Sequence, residues 1–95
     1  VLDPVLERIA YCESGTPEYP QGRAWVKNPN SSASGRFQFL KSSWEYYGKQ
    51  LWGSDWVKRD VFNYDDNTEL AYYVVSINGY KDWEADPASV ACWKN

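Results

Sequence analysis

Two cysteines, Cys12 and Cys92, lie near opposite ends of a chain of only 95 residues. If they pair, the closed loop contains nearly the whole chain, and the lost entropy of the unfolded state would stabilise the fold by about 3 to 5 kcal/mol. A disulfide would also place the protein outside the cytosol. The alternative is two buried free thiols. Because there is no third cysteine and no Cys-x-x-Cys spacing, these residues do not indicate a metal or redox site.

A chain of this length predicts a single domain over residues 1–95, with room for one small core. Its 6 Trp, 8 Tyr and 3 Phe residues, against a mean hydropathy of -0.69, predict that large rings build this core. Rings that remain outside the core could line a concave surface and stack on sugar rings. The alternative is that all of them only compensate for the short chain.

Charge and composition exclude several classes of function. A net charge of -3, with basic residues spread through the chain, argues against nucleic acid as a partner. No apolar run approaches the length of about 18 residues that a membrane span requires. Histidine is absent, so Ser-His-Asp and Cys-His catalysis and histidine-based zinc sites are excluded. The start at Val1 without a basic and apolar leader favours a processed product or an excised domain.

A first helix is predicted from Asp3, which caps it ahead of Pro4, to Gly15, which ends it. Glu13 stands seven positions after Leu6, so it extends the apolar face of this helix and points toward the core side. A carboxylate held in such a partly dry and rigid place is a candidate general acid.

The sequence after this helix predicts a long loop and then a short strand. Residues 16–34 are rich in turn residues and predict a loop with at most a short strand. Residues 36–39 then alternate polar and aromatic side chains and predict a short strand. In that strand Phe37 and Phe39 would face one side and Gln38 the other.

Three helical segments are predicted in the second half. The Ser-x-x-Glu pattern from Ser42 predicts a capping box and a helix that Gly48 ends. A cap at Asp66 precedes an apolar periodicity that Gly79 ends. Asp86, followed by proline, opens a final turn or short helix that brings back the second cysteine.

Four blocks of sequence carry a resemblance to a known family: Ile9–Gly15, Gly35–Phe39, Ser43–Glu45 with Gly48, and Gly79 with Trp83 and Cys92. In order and spacing they resemble the catalytic domain of resuscitation-promoting factors and the wider group of soluble lytic transglycosylases. The match spans nearly the whole chain. It implies an α+β, mainly α, lysozyme-like fold with a minor β element and one disulfide joining Cys12 to Cys92.

The resemblance also implies roles for individual residues. Glu13 would be the catalytic acid, and Gln38 would contribute to the sugar-binding cleft. The Tyr-Asn pair that transglycosylases commonly carry on a later helix has only an approximate counterpart here, and tryptophans in or near loops could face sugar. The candidate substrate-binding residues are therefore Gln38, Trp25, Trp52, Tyr73 and Asn78.

We therefore expect cleavage of the β-1,4 bond between N-acetylmuramic acid and N-acetylglucosamine in peptidoglycan, by a secreted or cell-envelope monomer without metal or cofactor. A lytic transglycosylase, which closes a 1,6-anhydro ring, needs no second carboxylate. A hydrolase would need one, and Asp65, Asp66 and Asp82 are the available acids. Two other classes remain open: a non-catalytic carbohydrate-binding module, and an inhibitor or structural domain held by one disulfide.

Overall fold

Helices account for most of the chain in the computed structural model, which describes residues 2–94. The elements in chain order are α1 (Pro4–Ser14), α2 (Lys41–Trp52), a 3₁₀ helix (Gly53–Lys58), α3 (Tyr64–Asn78), a second 3₁₀ helix (Lys81–Trp83) and α4 (Pro87–Trp93). Helix makes up 58% and strand 3%, which confirms a mainly helical domain. Within residues 2–94, no helix has the length and apolar character needed to cross a membrane. The expectation about the start at Val1 lies outside the described residues.

Helix α1 begins and ends where the sequence predicts. The Asp3 carboxylate accepts hydrogen bonds from the backbone N–H groups of Val5 and Leu6, and Gly15 ends the helix. An N-cap of this kind satisfies backbone donors that have no partner within the helix. The buried face, which includes Leu6 and Ile9, packs into a core whose rings are Phe37, Phe39, Trp44, Tyr47, Trp83 and Trp93.

Helix α2 differs from its prediction at both ends. It begins at Lys41, and Ser42 makes no capping hydrogen bond. The cap comes from elsewhere in the chain, because the Lys41 backbone N–H donates to Ser32 Oγ at 3.0 Å. The helix also continues through Gly48, which is buried under the Trp52 ring: a Cβ at Gly48 would lie 3.5 Å from a carbon of that ring. The predicted capping box and the predicted stop are therefore wrong.

Helix α3 begins earlier than predicted. Its N-cap is Asn63, whose side chain accepts the Asp66 backbone N–H at 2.9 Å, so Asp66 lies inside the first turn. The helix buries Leu70 and Val74 in the core. It ends at Gly79, as predicted, where the backbone takes a positive φ of 66°.

The predicted strand at residues 36–39 is a tight turn. Ser34 forms one isolated bridge to Lys27 and another to Phe39, and these bridges are the β structure of residues 2–94. Side chains do not alternate between two faces here, because Gln38 has a φ of 55°. Residues other than glycine rarely adopt this left-handed region. The minor β element is thus smaller than a strand pair.

Asn67 holds this turn against α3. Its Oδ1 accepts the Phe37 backbone N–H at 2.8 Å, and its Nδ2 donates to the backbone oxygens of Val61 at 2.8 Å and Ser34 at 3.4 Å. The amide lies so close to the backbone that a Cβ on Gly35 would come within 2.4 Å of Nδ2. A side chain at Gly35 is therefore excluded.

Arg36 anchors the same turn through its side chain. Its guanidinium is buried and donates to both carboxylate oxygens of Glu7, at 2.9 and 3.1 Å. It also donates to the backbone oxygen of Gln21 and to the hydroxyl of Thr68. Because four of its five N–H donors are used and its charge is paired, this arginine can lie inside the fold and join α1, the long loop and α3.

The last predicted element is present as helix α4, and the predicted disulfide is formed. Asp86 caps it through the Ala88 backbone N–H, and Pro87 is its first residue. Cys92 on this helix is bonded to Cys12 on α1. The two cysteines are therefore not free thiols, and the bond joins the two ends of the chain.

Candidate active-site cleft

Glu13 lies in the last turn of α1, half-buried, next to α4. Its Oε2 accepts a hydrogen bond of 2.5 Å from the Ser89 hydroxyl. Burial raises the pKa of the Glu13 carboxyl, the Ser89 hydrogen bond opposes that rise, and the negative charge of Asp86 adds to it. The net shift is upward, so this carboxyl holds its proton to a higher pH than an exposed glutamate does.

The residues on either side of Glu13 are fixed. Cys12 is covalently attached to α4. Ser14 is buried, and its hydroxyl donates to the Arg36 backbone oxygen at 2.7 Å and accepts the Arg23 backbone N–H at 2.9 Å. The main chain at Glu13 therefore has little freedom to move, which is what a positioned proton donor requires.

Two cavities, of about 310 and 500 Å³, open beside Glu13. The first extends toward Asp82 and Trp83, and the second extends toward Asn28 and Ser31. The residues that line both are Glu13, Gln38, Leu40, Asp86 and Ser89. Because these walls are shared, the two cavities form one groove that passes the carboxylate, and we call this groove the Glu13 cleft.

Gln38 lines the cleft together with Glu13, and its role in binding sugar stays a prediction. Its side-chain Nε2 donates to the backbone oxygens of Val26 and Gly35, at 3.1 and 2.9 Å. These bonds fix the amide plane. The other end of the amide, Oε1, accepts no hydrogen bond from residues 2–94 and is free to accept one from a ligand.

Asn78 does not line the cleft. It contacts Tyr47, which in turn is hydrogen-bonded to the cleft residue Asp82. Its Nδ2 donates to the Tyr47 hydroxyl at 2.8 Å. Burial, followed by the hydrogen bond to the Asp82 carboxylate, raises the pKa of Tyr47 to about 12. The tyrosine therefore stays protonated and donates to Asp82, which lines the first cavity of the cleft.

The other two candidates for a second acid lie elsewhere. Asp66 forms an ion pair with Arg59 at 3.1 Å and accepts the Asp60 backbone N–H. Asp65 is exposed in the first turn of α3. Neither lines the Glu13 cleft, so Asp82 is the candidate that the fold brings to the site.

Three aromatic candidates lie away from both cavities. Trp25 is 60% exposed and stands edge-on to Tyr19 in the long loop. Trp52 packs against Trp44 with 5.4 Å between ring centroids. Tyr73 donates its hydroxyl to a glutamine side chain on α2 at 3.0 Å. Their roles in substrate binding remain predictions, and the fold does not bring them to Glu13.

Ser89 and Trp83 are cleft residues that the sequence analysis did not single out as functional. A signal for Ser89 was present: it lies three positions before Cys92 on a helix and so shares its face. Since Cys92 bonds to the neighbour of Glu13, that spacing places the Ser89 hydroxyl beside the carboxylate. Trp83 gave no such local signal.

Residues 2–94 contain no group of three or more His, Cys, Asp or Glu side chains that could hold a metal ion. Comparison of the chain with models of protein families, with curated proteins and with solved structures finds no match. The function is therefore inferred from the residues and the geometry of the cleft.

Proposed function

We propose that this protein cleaves the β-1,4 bond between N-acetylmuramic acid and N-acetylglucosamine in peptidoglycan, as a lytic transglycosylase. The observation that carries the proposal is a half-buried, rigidly held Glu13 whose pKa is raised, in a groove that continues on both sides of it. A polymer substrate needs a groove that continues past the reacting bond. A general acid for glycosidic cleavage needs a carboxyl that keeps its proton near neutral pH.

In the first step Glu13 donates its proton to the glycosidic oxygen. The bond from C1 of the muramyl residue to that oxygen breaks, the alcohol departs, and C1 gains oxocarbenium character. Asp82 and Asp86 line the same cavity and place negative charge near the developing positive charge. Glu13, now ionised, is stabilised by the hydrogen bond from Ser89.

In the second step the ionised Glu13 removes the proton from the muramyl 6-hydroxyl. That oxygen forms a bond to C1, which yields the 1,6-anhydro product and returns Glu13 to its protonated form. The substrate's own hydroxyl is tethered near C1 and is therefore favoured entropically over bulk water. One carboxyl group is sufficient for the full cycle.

The proposal extends to family, fold and location. The sequence blocks that resemble resuscitation-promoting factors and soluble lytic transglycosylases contain Glu13, Gln38 and both disulfide cysteines, and the structure brings the first two to one cleft. This supports membership of that group and a lysozyme-like fold. The disulfide supports a secreted or cell-envelope protein, since such bonds persist in oxidising compartments.

Hydrolysis is the second candidate function, because Asp82 lines the cleft with Glu13. A retaining hydrolase would use Asp82 as a nucleophile about 5 Å from Glu13, and an inverting one would use it as a base about 6.5 to 9.5 Å away. In this case the products carry an added water and end in a reducing sugar.

The test is digestion of purified peptidoglycan, followed by mass spectrometry of the products. A transglycosylase gives muropeptides one water lighter than reducing-end products, and they do not react with borohydride. Glu13→Gln keeps the shape and removes the acid, so activity should fall about 100- to 10,000-fold. Glu18→Gln, a matched change at an exposed loop residue, should retain full activity.

Each other outcome has a definite meaning. Reducing products that are lost on Asp82→Asn would establish the hydrolase. Full activity in a folded Glu13→Gln protein would refute the assignment of the acid. A wild-type protein that binds glycan strands and cleaves none would be a carbohydrate-binding module.

A further inference from the structure

A third cavity, of about 250 Å³, lies behind the Glu13 cleft on the other side of Phe39. Its floor is apolar and includes Trp44 and Phe62, and two lysines stand among its walls. We call it the basic pocket, and its lining residues are Lys27, Ser32, Ser34, Phe39, Lys41, Trp44, Val61 and Phe62.

The basic pocket has two positive charges and no carboxylate in its lining. Neither Lys27 nor Lys41 forms an ion pair in the part of the chain that the structure describes, residues 2–94. The Lys27 ammonium donates to the backbone oxygens of Asn28 and Ser31, which fix its position without neutralising it. Glu45 interacts electrostatically with Lys41 but does not line the pocket. The lining itself therefore carries net positive charge above an apolar floor, which fits an anionic ligand with apolar groups.

The Glu13 cleft has the opposite character. Its first cavity is lined by Glu13, Asp82 and Asp86, and no lysine or arginine lines it. An anionic group would be repelled from this cavity and attracted to the basic pocket, in a protein whose net charge is -3. The two sites therefore separate a neutral ligand from an acidic one.

The two sites are adjacent. Phe39 lines both of them, and the consecutive residues Leu40 and Lys41 line the cleft and the pocket respectively. A ligand that crosses Phe39 can occupy both sites. Four extended residues span about 13 Å, which is enough to pass over one aromatic side chain.

Peptidoglycan has this division of charge. Its N-acetylated sugars are neutral, while the stem peptide attached to the lactyl group of the muramyl sugar carries free carboxylates and apolar alanine methyl groups. We propose that the basic pocket binds the acidic stem peptide of the strand whose glycan lies in the Glu13 cleft. This inference rests on the proposed function and names the part of the substrate that gives specificity.

The test compares two substrates: intact peptidoglycan fragments, and the same glycan strands stripped of peptides by an amidase. The double variant Lys27→Gln, Lys41→Gln should raise KM for the intact substrate about 3- to 10-fold, the range expected for two exposed charge contacts. Its kinetics on stripped glycan should not change. The control is Lys58→Gln, Lys94→Gln, which removes the same charge at exposed lysines outside the pocket, and it should leave KM for both substrates unchanged.

Binding of a purified stem tetrapeptide, followed by backbone amide shifts in NMR, separates this inference from the proposed function. Shifts centred on Lys41 and Phe62, lost in the pocket double variant, would support the inference even if no glycan is cleaved. No binding, or shifts centred on Glu13, would overturn it. Equal effects of the pocket variant on intact and stripped substrates would also overturn it, while cleavage itself would still stand.

Discussion

Removal of the Cys12–Cys92 disulfide should cost a large part of the stability of this domain. The bond spans 80 positions, and the chain-entropy relation for a loop of that size gives about 4.5 kcal/mol at 25 °C. Domains are typically stable by only about 5 to 15 kcal/mol. The free energy of unfolding of the double variant Cys12→Ser, Cys92→Ser is therefore expected to be small.

The loss should be visible in urea unfolding followed by tryptophan fluorescence. With a slope of about 1.5 kcal/mol per M, a loss of 4.5 kcal/mol lowers the midpoint by about 3 M urea. A reducing agent should give the same shift in the wild-type protein. It should give no shift in the double variant, which serves as the control for other effects of the reagent.

A decrease of less than about 1 kcal/mol in the free energy of unfolding of the double variant would refute this prediction. That result would mean that the unfolded chain is already compact, or that α4 is held by other contacts. The buried Trp93, the hydrogen bond from Arg8 Nε to its backbone oxygen and the Ser89–Glu13 hydrogen bond are among the contacts that would remain. A helix of 7 residues has little stability of its own, so we expect these contacts to be insufficient.

Three further substitutions test individual contacts. Ser89→Ala removes a hydrogen bond that lowers the pKa of Glu13, so that pKa should rise and the loss of activity toward alkaline pH should move upward in the pH–rate profile. Asp82→Asn should lower the pKa of Tyr47 from about 12, which a spectrophotometric titration would detect. Asn67→Ala leaves buried backbone groups without partners and should cost about 2 to 3 kcal/mol in urea unfolding, with no change in the slope.

The elements that the sequence predicted well are those whose signals are local. Helix α1 is capped by its own neighbour Asp3 and ended by Gly15, so its bounds follow from adjacent residues. The same holds for the cap of α4 at Asp86. The place of Glu13 on the core side also follows from spacing along one helix, because a helix fixes which residues share a face.

The features that the sequence did not predict depend on residues far apart in the chain. The cap of α2 comes from Ser32 in the preceding loop, so the local pattern at Ser42 was misleading. The hydrogen bond that holds Asp82 comes from Tyr47, and no periodicity joins these two positions. Packing also overrides propensity at Gly48, which lies buried inside α2 although glycine is a poor helix former.

Two costs to stability coincide at the cleft. Glu13 has a raised pKa in the folded state, so the folded protein holds this proton more tightly than the unfolded chain does, and stability falls as pH rises through the folded-state value. Gln38 keeps a left-handed backbone, which costs about 1 to 3 kcal/mol and persists only when surrounding contacts impose it. Here the side-chain bonds to Val26 and Gly35 impose it. Both residues line the same groove, and such costs are typical of sites where activity, not stability, determines the residue.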